Sequence, residues 1–258
     1  MMKTKHLLLL AALGTGLVAT TQAALIVHYE LDNDFSATVG TDASANSAAT
    51  IDNTTYAVGS GSVLFGTRSN QDYYGGVQGG DNLDWSSSDE RTVAFWMKSG
   101  TQTATYPTMF GMGTEGSNFT RFDIRLDNNT LRLELQGGGS TTTVNINDGE
   151  WYHIAVVVPN ATSRLADTSY YVHNADGSLK ASGNFSGTSN INTGTAPMTI
   201  GDSKHGSRPF IGNIDDVRVY DNALSETEVQ TLANMFVPEP SSTFLGLMSL
   251  GMLFRRRR

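Results

Sequence analysis

Two clusters of aspartates are the first residues in this chain of 258 residues that could do chemistry. The segment LDNDFSATVGTD brings Asp32, Asp34, Ser36 and Asp42 into one polar stretch. Asp32-x-Asp34-x-Ser36 matches the opening of an oxygen-rich Ca²⁺ loop, but Ala37 and Ala43 stand where an EF-hand needs Gly and Glu. The second cluster is Asp215-Asp216, within IDDVRVYD. Strand alternation puts Asp215 on the face of Val217 and Val219, toward a core, where a carboxylate needs a cation or several hydrogen bonds. Two readings compete. In one, a structural Ca²⁺ joins the N-terminal loop to the last strand through Asp32 or Asp34 and Asp215 or Asp216. In the other, these aspartates cap turns and bind backbone N–H groups.

Sugar recognition is the second candidate chemistry. It needs aromatic faces for stacking and Asn or Asp for hydroxyls. Tyr73, Tyr74, Trp85, Tyr106 and Asn118 lie in or beside expected loops and are the candidate contributors. Each aromatic can equally cover local core, and no motif selects among them. His153 reads as a hydrogen-bonded core residue, and His28, His173 and His205 lack metal-ligand spacing. GMGTEG (111–116) satisfies G-x-G-x-x-G, but a strand pattern follows it rather than a helix, so it reads as a hairpin loop and not a phosphate cradle. With no cysteine, thiolate catalysis, Cys-bound zinc and disulfides are all excluded.

Charge narrows the partners. Residues 24–237 hold 11 basic and 24 acidic side chains, a net −13. Such a body, with no basic stripe, argues against nucleic acid and anionic membrane surfaces. It suits Ca²⁺ and neutral glycans.

The elements that must position these residues are short strands. RTVAFWMK alternates Val93, Phe95 and Met97 against Ala94 and Trp96. Leu25, Val27, Tyr29 and Leu31 share a face in the same way. In RFDIRLDNNTLRLELQ, Phe122, Ile124, Leu126, Leu131, Leu133 and Leu135 oppose Arg121, Asp123, Arg125, Arg132 and Glu134, which reads as a hairpin with one wet face. WYHIAVVV (151–158) is apolar on both faces and reads as a central strand. A hairpin turns at Ala175-Asp176-Gly177. Ser36–Thr55 reads as loop, and 72–77 as a strand. One helix is expected, opened by the capping box Ser225/Glu228 and striped by Val229, Leu232, Ala233 and Phe236. Many short strands and one C-terminal helix predict an all-β, antiparallel two-sheet sandwich.

The closing third resembles a known family. Trp151 and His153, then Phe210, Gly212, Ile214, Asp215, Asp216, Val217, Arg218, Val219 and Tyr220, then Ala223, Leu224 and Ser225 are similar to the laminin-G-like, concanavalin A-like jelly roll. The resemblance implies a curved sandwich over 24–236 whose members often bind sugars or proteins and often hold Ca²⁺. Related glucanases carry Glu-x-Asp-x-x-Glu on one strand. Here RFDIRLD offers only Asp123 and Asp127, so catalysis of that type is not expected.

The ends give an address. Residues 1–23 have Lys3 and Lys5, an apolar centre Leu7–Val18 and a small-residue end Thr21-Gln22-Ala23, the pattern of a secretory signal. In VPEPSSTFLGLMSLGMLFRRRR (237–258) the run Ser241–Phe254 makes about 21 Å of helix, short of the ~30 Å hydrocarbon core. Pro238, Glu239, Pro240, that run and Arg255, Arg256, Arg257 and Arg258 together resemble the PEP-CTERM sorting signal of Gram-negative bacteria. The resemblance implies recognition by an exosortase-type membrane enzyme, transient inner-membrane anchoring through the tail and delivery to the surface or matrix. An ordinary short anchor is the other reading. Three functions stand open: a non-enzymatic exported protein binding glycan or exopolysaccharide, an extracellular glycan hydrolase or lyase, and a structural or adhesive matrix component without a specific ligand.

Overall fold

The computed structural model describes residues 24–46, 48–67, 76–83, 89–114, 116–160, 163–203 and 208–236. The segment 1–23, Tyr73, Tyr74, Trp85, His205 and the tail 237–258 with its Pro-Glu-Pro step and arginines lie outside the described residues.

In chain order the strands are β1 (Leu25–Tyr29), β2 (Ser44–Ala45), β3 (Ala49–Asp52), β4 (Ser62–Phe65), β5 (Val77–Leu83), β6 (Arg91–Ser99), β7 (Thr108–Gly113) and β8 (Arg121–Asp127). They continue as β9 (Thr130–Glu134), β10 (Gly139–Asn145), β11 (Trp151–Val158), β12 (Ser169–Asn174), β13 (Leu179–Asn184), β14 (Ala196–Ile200) and β15 (Gly212–Tyr220), followed by α1 (Glu226–Ala233). Two antiparallel sheets form. One runs β13-β12-β11-β6-β15-β4-β3, with β1 also on β15, and the other β10-β9-β8-β7-β14-β5-β2. The expected two-sheet sandwich with one short helix is the structure.

Alternation builds the core. Val93, Phe95 and Met97 of β6 meet Phe122, Ile124 and Leu126 of β8 and Leu131 and Leu133 of β9 in one buried cluster. β11 sits between β6 and β12 with all eight residues buried. Its Ala155 and Val157 face away from the main core, and α1 covers them with Val229 and Leu232. Burying such side chains contributes roughly 1.5–3 kcal/mol each. The helix starts where the capping box predicts: Ser225 Oγ accepts from Glu228 N, and Glu228 Oε2 accepts from Ser225 N at 2.7 Å. Phe236, two residues past the C-cap, packs on Trp96 with ring centroids 5.1 Å apart.

Four expectations change. Ser36–Thr55 is not all loop, because β2 and β3 lie within it as edge strands. The strand expected at 72–77 falls mostly outside the described residues, which omit 68–75, and β5 begins at its last residue, Val77, and runs on to Leu83. A register shift between Leu25 and Val27 breaks the alternation of β1. Leu25 therefore packs beside the helix, while Val27, Tyr29 and Leu31 enter the main core. A second shift lies between Asp215 and Arg218, with Asp216 in the left-handed region at φ 49°. This bulge returns Val217 to the core beside Ile214 and leaves Asp215, opposite Trp96, on the outer face.

Candidate functional site

The outer face of the seven-stranded sheet is ruled into cross-strand rows. One row reads Thr108, Arg125, Arg132, Thr141 across β7, β8, β9 and β10. The next reads Thr199, Gly111, Asp123, Glu134, Gly139 across β14, β7, β8, β9 and β10. Residues directly opposite in antiparallel strands have Cβ atoms about 5 Å apart, and here they carry like charges, Arg125 against Arg132 and Asp123 against Glu134, so relief must come from diagonal neighbours in the adjacent row. Two glycines in the second row make the room. A Cβ at Gly111 would lie 2.9 Å from both Asp123 Oδ1 and Thr199 Oγ1, and one at Gly139 would strike the Arg132–Glu134 pair.

The sequence predicts a wet face here, and the structure corrects it. Arg121, Asp123, Arg125 and Glu134 are all buried, Asp123 completely. The reason is mutual pairing. Glu134 Oε2 accepts from Arg125 Nη2 at 2.7 Å and from Arg132 Nη2 at 2.8 Å, and its Oε1 lies 3.7 Å from Arg121 Nη2. Asp123 Oδ2 accepts from Ser203 Oγ at 3.1 Å and lies 3.4 Å from Arg121 Nε. Thr141 Oγ1 receives Arg132 Nη1 and donates to Asp127 Oδ2, both at 2.8 Å. Burial pushes the Asp123 carboxyl up to about 6 against the pull of Arg121 and Arg125. Burial also lowers Arg125 to about 10, with Glu134 opposing. Pairing is nevertheless incomplete: Asp123 Oδ1, Arg125 Nε and Nη1, and Thr108 Oγ1 are buried without a hydrogen-bond partner.

At one end of this face the loops gather. Tyr106, 37% exposed, lies over the Arg125 guanidinium at 4.5 Å, and Arg208 reaches the same ring at 5.9 Å. The loop that carries Tyr106 also lines a polar cleft of about 500 Å³ formed by Ser99, Gly100, Thr101, Gln102, Asn147, Asp148 and Gly149. Gln102 is fixed there by bonds to Ile211 O (2.6 Å) and from Ile211 N (3.0 Å). Asn147 donates to Asn129 Oδ1 at 2.9 Å, tying the cleft to the β8–β9 turn. Amides, hydroxyls and a carboxylate beside an exposed aromatic are the equipment for binding polyhydroxylated ligands.

Of the sequence candidates, Tyr106 is part of this constellation and Asn118 is not. Asn118 sits in the β7–β8 connection beside Gly137, at the far end of the hairpin from Tyr106. The aspartates are brought only partly together. Asp32 Oδ1 accepts from Ser60 N (2.8 Å) and Gly61 N (3.1 Å), and Asp215 Oδ2 from Ala57 N (2.8 Å) and Val58 N (2.9 Å). Both therefore hold one segment, 57–61, from its two ends. Asp34 accepts from Ser36 N within its own exposed turn. Asp216 is occupied by His28 Nε2 at 2.7 Å and Arg218, which hold it below the usual carboxylate range although burial alone would raise it. Among the described residues no three acidic or histidine side chains gather as a metal site. Asp215 Oδ1 is buried and unpartnered, and burial pushes this carboxyl up to about 8. His153 is the core residue expected, edge-on to Trp96 with ring centroids 5.2 Å apart, but its Nδ1 has no partner among the described residues, and burial drives the ring's pKa down to about 3.

Sequence reasoning placed Arg121, Asp123, Arg125, Arg132 and Glu134 on one face and missed that they form a site. The signal was there: R-x-D-x-R and R-x-E flank a two-residue turn, and that turn sets the register which pairs them. Gln102, Asn147 and Asp148 carried no comparable pattern.

Comparison with known proteins agrees with this architecture. Residues 69–230 match the concanavalin A-like lectin/glucanases superfamily, and 236–258 match the PEP-CTERM protein-sorting motif. A sushi, von Willebrand factor type A, EGF and pentraxin domain-containing protein 1 of Rattus norvegicus is 30% identical over 151 residues, which is 55% of this chain but only 4% of that protein. Domain 4 of AbnA, a GH43 extracellular arabinanase from Geobacillus stearothermophilus, in complex with arabinotriose, is similar at TM-score 0.58 and 27% identity, over 82% of this chain and 98% of that one. The binding domain of Paraclostridial Mosquitocidal Protein 1 shares the fold at TM-score 0.57 and 15% identity, over 81% and 52% of the two chains. The superfamily match takes in most of both sheets and the start of α1, and on that ground this chain belongs to the concanavalin A-like lectin/glucanases superfamily, with a PEP-CTERM sorting motif behind its domain.

Proposed function

We propose that this is an exported, non-enzymatic protein that binds glycan or exopolysaccharide at the cell surface or in the matrix, after an exosortase-type enzyme has processed its tail. The observation that carries the reading is the loop 100–107, which places Gln102 in a polar cleft and Tyr106 on the rim of the charged face. The similarity to an arabinanase domain seen with arabinotriose supports it. Hydrolysis is the weaker reading. Asp123 and Glu134 are cross-strand partners, but a glycosidase pair must reach its substrate. Asp123 is fully buried, and Glu134 is held by Arg125 and Arg132.

Affinity electrophoresis and calorimetry across neutral and acidic polysaccharides test the binding reading, with new reducing ends scored in parallel. Retention without new ends is the expected result. New ends would replace it with the hydrolase reading, and failure across the whole panel would leave a structural or adhesive role. A structural Ca²⁺ at Asp215 belongs to the same proposal, supported by the unpartnered Oδ1. Millimolar Ca²⁺ added to chelated protein should raise the melting temperature of the wild type and not of Asp215→Asn. Absence of both heat and a melting shift removes the cation.

A further inference from the structure

We propose that Arg125 forms the centre of a subsite for a carboxylate-bearing sugar, a uronic acid unit of an acidic glycan; the inference rests on the glycan-binding reading and specifies its ligand. A guanidinium presents its N–H bonds in its own plane, in a geometry that fits a carboxylate. Tyr106 places its ring centre 4.5 Å from the Arg125 guanidinium carbon. Of the edges, only Nη2 is used, by Glu134. Nε and Nη1 have no acceptor among the described residues although Arg125 is only 4% exposed. Leaving buried donors unpaired is costly, so the folded chain holds donors ready for an acceptor that the described residues do not supply.

A neighbour fits the rest of such a sugar. Thr108, opposite Arg125 in the register, keeps an unpartnered hydroxyl. Charge points the same way. Residues 24–237 carry −13, yet four of their 11 basic residues, Arg121, Arg125, Arg132 and Arg208, gather here. Among the described residues Asp123, Asp127 and Glu134 pair with Arg121, Arg125 and Arg132, and Asp202 accepts from the Arg208 backbone N–H beside them. This concentration of guanidinium groups in an acidic body suits an anionic sugar better than a neutral one.

The test compares ligands before it compares variants. The exported protein is titrated calorimetrically with an oligouronate, with the same oligosaccharide after reduction of its carboxyl groups, with a sulfated oligosaccharide and with arabinotriose. The expected result is that carboxyl reduction weakens binding at least tenfold, and that raising the salt concentration weakens the uronate complex far more than any neutral one. Thr108→Val, nearly isosteric, should weaken the uronate complex severalfold while leaving the urea midpoint in place. Arg125→Lys should lose most of the affinity because it cannot offer a planar edge. Equal affinity for the native and reduced oligosaccharides overturns the subsite and leaves glycan binding standing, and so does preference for the sulfated ligand. Binding to none of the four overturns the subsite together with the reading beneath it.

Discussion

The outer faces of the two sheets each bury charged groups, and they are closed by different means. On the eight-stranded sheet the chain itself is the cover. Segment 57–58 donates two N–H groups to Asp215, His28 and Arg218 take Asp216, and α1 with Phe236 lies over Ala155, Val157 and Trp96. On the seven-stranded sheet the charged side chains largely cover one another, through the Glu134 oxygens, and Arg125 is left with spare donors. A face sealed by its own backbone is a structural solution. A face sealed by side-chain pairs with donors left over can exchange partners with a ligand. The comparison therefore predicts that mutations on the first face act on stability and those on the second act chiefly on binding.

The largest effect is expected at Trp96, fully buried between Phe236 and His153. Trp96→Ala should cost about 3–5 kcal/mol in urea unfolding, through lost packing and the cavity it leaves. Glycan affinity measured below the melting transition should not change. A variant that unfolds normally but loses glycan would place binding on the wrong face and break the distinction.

Acidity next separates two carboxylates, one on each face. Asp123 titrates near 6 when folded and near 4 when unfolded, so between those values the folded state binds the extra proton. Its contribution is fully present below about pH 4 and lost as pH rises through 6, on the order of 3 kcal/mol. Asp216 works with the opposite sign. Its folded pKa lies below the usual range, so its contribution is present above the unfolded value and lost as pH falls through the folded one. Urea midpoints from pH 3 to 8 should show a shallower neutral-side decline in Asp123→Asn, with the rest of that decline left to Asp215, and a softer acid-side decline in Asp216→Asn. Identical profiles for the two variants would mean that the carboxylates are not held in different states.

Much of this was legible in the residues. Alternation in RTVAFWMK and RFDIRLD names the core side chains, and Ser225/Glu228 names the first turn of the helix, because period and capping are local properties. Asp215 went astray for an equally definite reason: one left-handed residue, Asp216, resets the parity of β15, and the strand's composition does not announce it. The charged face was half legible. Its membership follows from period two, but its burial depends on three strands meeting in register and on Ser203 arriving from 80 residues away. The cleft was not legible, since Gln102 and Asn147 matter only through loops that the fold brings side by side.

The smallest stability effect, and the one that bears most directly on the second face, belongs to Tyr106. Its ring is exposed and its contact with Arg125 is a cation–π pair, worth about 0.5–1 kcal/mol at such a site. Tyr106→Ala should therefore lower the melting temperature by no more than about 4 °C in a domain of this size. Glycan affinity should fall severalfold in the same variant, because the ring is both a stacking surface and the cover that keeps Arg125 out of water. Tyr106→Phe keeps the face of the ring and should keep most of the affinity, which separates loss of the aromatic surface from loss of the hydroxyl. If Tyr106→Ala instead melts early and binds as before, the ring is a structural lid, and the seven-stranded face is closed for the same purpose as the other.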